Sequence, residues 1–132
     1  MKGSYLLLIC LSEPHEIMIG KLGVISFKKG HYVYVGSALS SLEKRIQRHL
    51  RDDKKLFWHI DYLLKHGTVL EVFYKENSVR EECHIACLFA TTFLPIPGFG
   101  CSDCRCSSHL FFGDISRLQQ TIHHLSMKTY KR

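Results

Sequence analysis

The chain opens on a continuous apolar run from Tyr5 to Leu11, the pattern of a strand covered on both faces. Ile17 to Ile19 and Val24 to Phe27 flank Gly20 and Gly23, which predicts a hairpin through the glycines. Lys28, Lys29 and Gly30 mark a turn. In the strand that follows, His31 to Val35, alternation places Tyr32 and Tyr34 on one face and Val33 and Val35 on the other. At Gly36-Ser37-Ala38, where bulky side chains are lacking, the chain is expected to leave the sheet through a glycine turn. The period then becomes helical. Leu42, Ile46 and Leu50 form an apolar stripe, Ser40 and Glu43 have capping-box spacing, and Arg45, Arg48 and His49 share one flank. A second helix is predicted over Leu56 to His66, closed by Gly67. Val69 to Tyr74 reads as a strand, and Ser78 with Glu81 as a capping box opening a helix that lasts to about Phe93, before Pro95 and Pro97. A loop, GFGCSDCRCSSH, leads to a short strand at His109 to Phe112. Asp114 caps a last helix, Ile115 to Leu125, and Lys128 to Arg132 is expected as a frayed basic tail. The pattern is that of an α+β fold: one domain over residues 1–126 and a tail over 127–132, with helices packed on a mostly antiparallel sheet of about four to six strands.

At 132 residues the chain can bury one core of its own. Its formal charge of +6 favours a polyanionic partner, nucleic acid before a membrane surface, because neutralised phosphates release counterions. The N-terminal MKGSYLLLICLSE ends in Glu13 and runs into Pro14 and His15 with no small-residue cleavage site, so it is read as a core strand and not a signal peptide. No apolar run approaches the roughly 20 residues that span a bilayer, and a cytoplasmic location is expected. Six cysteines without a secretory signal argue for thiols or metal ligands over a disulfide framework.

Gly3-Ser4-Tyr5 opens the first strand, Tyr34-Val35-Gly36 closes a later one, and the basic helix beyond carries Arg45 and His49. Tyrosine hydroxyls, open backbone and guanidinium groups are together suited to holding a phosphodiester. These residues, with the phrases GSYLLL, YVYVGSAL, RIQRHLR, WHIDYLL and GFGCSDCRC followed by SHLFF, resemble the GIY-YIG nuclease superfamily. Within it they resemble the small Uri-type endonuclease-like proteins, long listed as a domain of unknown function and sometimes fused to endonuclease III-like glycosylases. The resemblance covers nearly the whole chain. It implies single-metal phosphodiester hydrolysis, with Tyr5 as general base or orienter of the attacking water, Tyr34 packed beside it, and Arg45 stabilising the scissile phosphate. A glutamate on a later helix would bind one Mg²⁺ or Mn²⁺. Glu82 is the choice, because Glu81, the alternative, is already explained by its capping box. His49, one turn beyond Arg45, is placed to orient a tyrosine hydroxyl or contact a neighbouring phosphate. Gly36, Ser37, Arg45, Arg48 and Arg105 are the expected nucleic-acid contacts, with DNA favoured over RNA.

The chain departs from the superfamily pattern in two ways. A hairpin separates the two tyrosine phrases, and the single asparagine, Asn77, does not match the asparagine found late in the nuclease motif; Ser108 or His109 is the candidate for that space. Cys101, Cys104, Cys106 and His109 offer four ligands suited to zinc, with Cys83, His84 and Cys87 as further donors if they pack nearby. One residue, Arg105, separates the two ligand pairs, where structural zinc sites have a dozen or more. The same loop also reads as one that positions Asp103, Arg105 and His109 beside the phosphate site. Trp58 and Tyr62 read as core, and His59 and Asp61 either pair or face solvent on opposite sides. The leading expectation is a metal-dependent endonuclease acting in DNA repair. The alternatives are a nucleic-acid-binding module with weak or no turnover, and a zinc-stabilised domain that docks a repair enzyme.

Overall fold

The computed structural model describes residues 2–38, 40–77, 81–101 and 106–131. Its centre is a pair of long antiparallel strands, β1 (Gly3–Leu11) and β4 (Gly30–Ala38). Between them in sequence lies the expected hairpin, β2 (His15–Met18) and β3 (Val24–Phe27), joined by a single 3₁₀ turn at Gly20–Leu22. Helix α1 (Leu42–Leu50) and the short α2 (His59–Leu64) follow β4. Next come β5 (Thr68–Glu76), α3 (Glu82–Ala90), β6 (Leu94–Pro95), β7 (Leu110–Gly113), α4 (Ile115–His124) and β8 (Lys128–Thr129). Six strands make one antiparallel sheet in the order β6-β7-β4-β1-β5-β8, and β2–β3 forms a separate two-stranded sheet. The α+β class and the antiparallel sheet are as the sequence implies.

The apolar run in β1 is covered on both faces because it is central. Tyr5, Leu7, Ile9 and Leu11 pack under α1, α2 and the hairpin, with Leu42, Ile46, Ile60, Leu63 and Phe27. Leu6 and Leu8 pack with Val33 and Val35 under α3 and α4, against Ile85, Phe89, Leu118 and Ile122. Each fully buried aliphatic side chain contributes roughly 1.5–3 kcal/mol, so this two-sided strand is a large source of stability. Tyr32 and Tyr34 do face away from Val33 and Val35. Asp114 caps α4 by accepting from Arg117 N at 3.2 Å. Among the described residues no helix is long and apolar enough to cross a membrane.

Five expectations are corrected. Gly36, Ser37 and Ala38 do not leave the sheet but continue β4, opposite Tyr5, Ser4 and Gly3. Gly36 serves packing and not a turn: a Cβ there would lie 2.3 Å from Tyr5 Cζ. The N-cap of α1 is Ser41, whose Oγ accepts from Lys44 N, and not Ser40. Helix α2 begins at His59 and not Leu56, because the Asp61 carboxylate takes the backbone N–H groups of Phe57 and Trp58 into a cap. Helix α3 ends at Ala90, and Leu94–Pro95 is a short edge strand, a position that tolerates proline. Lys128 and Thr129 are not frayed but pair with Tyr74 and Phe73. Ser78 of the second capping box lies outside the described residues.

Gly36→Ala is expected to lower stability by about 1–3 kcal/mol, the usual effect of overpacking, because the added methyl meets the Tyr5 ring. Urea unfolding measures this. An unchanged midpoint would mean that the ring does not rest on Gly36.

Candidate active site

Tyr5 is near the start of β1, on the face covered by α1, and is only 1% exposed. His49, in the last turn of α1, is also buried, and its Nε2 shares a 2.6 Å hydrogen bond with Tyr5 Oη. The Tyr34 ring stands 6.4 Å from that of Tyr5 and 6.3 Å from that of His49, and Phe99 closes the far side at 6.2 Å. The two tyrosines and the histidine, brought from β1, β4 and α1, therefore form one aromatic cluster.

Burial decides the charge states. It holds the His49 imidazole down to about 3; Asp61 opposes this, while Arg45, Arg48 and Lys54 add to it. Burial likewise pushes the Tyr5 hydroxyl well above the usual tyrosine range, and Arg45 offsets only part of that. Tyr34 is also raised, by burial first, then by Tyr5 and Glu82. At neutral pH the cluster is uncharged, framed by fixed charges.

Those charges are ordered by Trp58. The guanidinium carbons of Arg45 and Arg48 each lie 4.3 Å from a Trp58 ring centroid, within cation–π range. Arg45 Nη1 donates to Ser37 O at 3.0 Å, which keeps this arginine at the end of β4. Arg48 is tied elsewhere: Nη1 and Nη2 donate to the two Asp61 carboxylate oxygens at 2.9 and 3.0 Å, and Nη2 also donates to Lys55 O. Burial pushes the Asp61 carboxyl up, but Arg48 and the N–H groups of Phe57 and Trp58 outweigh it and hold it below its ordinary value. Of the two arginines, Arg45 acts on Tyr5 and Arg48 holds the Trp58 segment in place. A neighbouring cavity of about 520 Å³ is lined in part by His49, Arg51, Asp52, Lys54, Lys65 and Thr68.

Glu82 is the first residue of α3, half-buried, and its charge raises both tyrosines. Glu81 instead forms an ion pair with Lys75 at 3.5 Å. Tyr5, Tyr34, Arg45, His49 and Glu82 thus share one neighbourhood. Gly36 is buried beneath Tyr5, and Ser37 offers its carbonyl to Arg45. Arg105, Asp103 and Cys104 lie outside the described residues.

Two expectations change at the site. Asp61 pairs with Arg48 and not with His59, whose Nδ1 instead accepts from Gly100 N at 2.8 Å. Its position three residues beyond Trp58 was the available signal, since that spacing fits a helix cap. The metal-ligand cluster also differs from the loop set. Cys83 of α3 joins Cys106 and His109, their ligand atoms all within 4.8 Å of one another, so a metal ion can be held there. Cys101 is not one of the three; its thiol donates to Phe99 O at 3.4 Å.

Fold and site together define a small α+β domain with a buried phenol–imidazole pair, an adjacent arginine and a nearby carboxylate. The family model described as "Domain of unknown function DUF123" matches residues 4–131, and the chain belongs to that family. No curated protein and no solved structure matches it.

The His49 burial has a consequence for acid stability. Below about pH 6.5 the unfolded imidazole takes up a proton that the folded one does not accept until about pH 3, so stability falls as pH is lowered through that window. The slope approaches roughly 1.4 kcal/mol per pH unit. Urea unfolding of His49→Gln between pH 7 and 5 is expected to show a clearly flatter decline than the parent. Equal slopes would mean that His49 titrates normally.

Proposed function

We propose that the chain is a divalent-metal-dependent nuclease that hydrolyses phosphodiester bonds in nucleic acid, DNA before RNA. The observation that carries this reading is the 2.6 Å Tyr5–His49 bond inside a cluster that also holds Tyr34, with Arg45 at its edge. A phenol and an imidazole joined in this way form a two-step proton path. As the attacking water gives a proton to Tyr5 Oη, the phenol passes its own proton to His49 Nε2. His49 at rest is a weak base, and a bound phosphate, being anionic, raises it. Arg45 faces the same side and stabilises the charge that builds on the phosphate oxygens. Tyr34 packs against both rings and fixes their orientation.

Glu82 would hold the cation. A single carboxylate beside phenolic oxygens suits Mg²⁺ or Mn²⁺, which keep several waters and take further oxygens from the substrate. When bound, such an ion polarises the phosphate and eases departure of the leaving oxygen. The thiol–imidazole cluster is a separate, softer donor set.

A second reading, nucleic-acid binding without turnover, is favoured by the 1% exposure of Tyr5, which keeps its hydroxyl from bulk water. Cleavage of single-stranded, duplex, flapped and abasic DNA and of RNA, with Mg²⁺, Mn²⁺ or EDTA, separates the two. Metal-dependent cutting is expected, reduced about 10²–10⁴-fold in Tyr5→Phe and in Glu82→Gln. Salt-sensitive binding with no cutting under any metal would replace the nuclease reading with the second one.

A further inference from the structure

We propose that Cys83, Cys106 and His109 bind a zinc ion that fastens the start of α3 to the N-terminal end of β7, beside β4. The three residues come from different places: Cys83 from the first turn of α3, Cys106 from the loop before β7, and His109 from the residue just ahead of β7. Nothing in the spacing of the cysteine loop alone brings Cys83 to it. The fold does.

The separations suit a tetrahedral ion. Zinc takes sulfur at about 2.3 Å and nitrogen at about 2.0–2.1 Å, which puts its ligand atoms roughly 3.5–4 Å apart. Cys83 Sγ and His109 Nε2 are 4.0 Å apart, and all three donor atoms fall within 4.8 Å. Closing around an ion therefore requires the donor atoms to draw together by about 1 Å or less.

The surroundings of His109 are an independent indication. The residue is 1% exposed, and its Nδ1 lies 3.2 Å from Val35 O. A carbonyl can only accept, so Nδ1 carries the hydrogen and donates. That leaves the Nε2 lone pair directed at Cys83, the tautomer and support typical of a metal-bound imidazole. His109 is held further by its backbone, its N–H donating to Phe99 O at 2.8 Å and its carbonyl accepting from Val35 N at 2.9 Å. The position of this ligand is thus fixed before any ion arrives.

Two sulfurs and one nitrogen select a borderline-soft ion over Mg²⁺, so this site and the Glu82 site are chemically distinct. Binding displaces the two thiol protons into solution and leaves a fourth position for water or one further ligand. Because Cys83 follows Glu82 directly, the ion would also fix where that carboxylate stands relative to Tyr34.

The test uses the full-length protein and does not involve cleavage, so its outcome is independent of the nuclease reading. Elemental analysis of protein made in zinc-supplemented medium is expected to give about one zinc per chain. Cobalt substitution is expected to give a near-ultraviolet thiolate charge-transfer band with tetrahedral visible bands. Cys83→Ser and Cys106→Ser should lose both signals. Cys87→Ser, exposed on the same helix and outside the trio, should keep them. Should the serine variants fail to fold, the cobalt spectrum of the parent and a fall in its Tm on chelation decide the matter. Absence of zinc and of the cobalt band in the parent, full zinc retention in Cys83→Ser, or a 2 Da mass deficit mapped to a Cys83–Cys106 disulfide would each overturn the proposal.

Discussion

The structure depends on taking a phenol and an imidazole out of water together. Neither Tyr5 nor His49 can be buried alone without stranding a polar group, and an unsatisfied buried donor or acceptor costs about 1–3 kcal/mol. Sharing one hydrogen bond removes much of that penalty, but only if α1 docks on β1 at one height and rotation. The apolar stripe of Leu42 and Ile46 sets the rotation, and Gly36 makes room for the Tyr5 ring. The bond thus links the register of the central strands to the seating of the basic helix.

Once α1 is seated, its two arginines are assigned different tasks. Asp61 takes Arg48 in a two-oxygen pair and, through Phe57 and Trp58, draws the inter-helix segment beneath both guanidinium groups. Arg45 is left against Trp58 and Ser37, where its charge falls on Tyr5. A neutral aromatic centre is bordered by the Arg45 cation and the Glu82 carboxylate. The cysteine–histidine trio stands at the base of the same α3 that carries Glu82. The two clusters are neighbours in sequence but differ in ligand chemistry.

Much of the fold was legible because burial imprints a local period. The two-sided apolar run of β1, the alternation in β4 and the four-residue stripe of α1 each appear directly in the chain. What was missed depends on partners far away in sequence. Gly36 reads as a turn until Tyr5 is placed opposite it, and Lys128–Thr129 reads as a tail until the open edge of β5 is known. Leu56 to Trp58 has helical composition, yet the Asp61 carboxylate captures its backbone. At the site, Tyr5, Tyr34, Arg45, His49 and Glu82 could be named from motif phrases and Cys83 as a conditional donor, while the Arg48–Asp61 pair and the approach of Cys83 to His109 join residues 13 and 26 positions apart and are set by the fold. Membership of the DUF123 family agrees with the resemblance carried by those phrases.

In the nuclease proposed above, the tyrosine–histidine cluster, Arg45 and Glu82 act on one phosphodiester. The most direct measurement is a crystal structure of Tyr5→Phe protein with Mn²⁺ and a short oligonucleotide, with anomalous data collected at the manganese edge. The expected result is a manganese peak bonded to a Glu82 oxygen and to a phosphate oxygen, with Arg45 on the same phosphate and Tyr34 beside it. A backbone path that avoids Arg45, or manganese bound away from Glu82 while the phosphates lie elsewhere, would contradict the account.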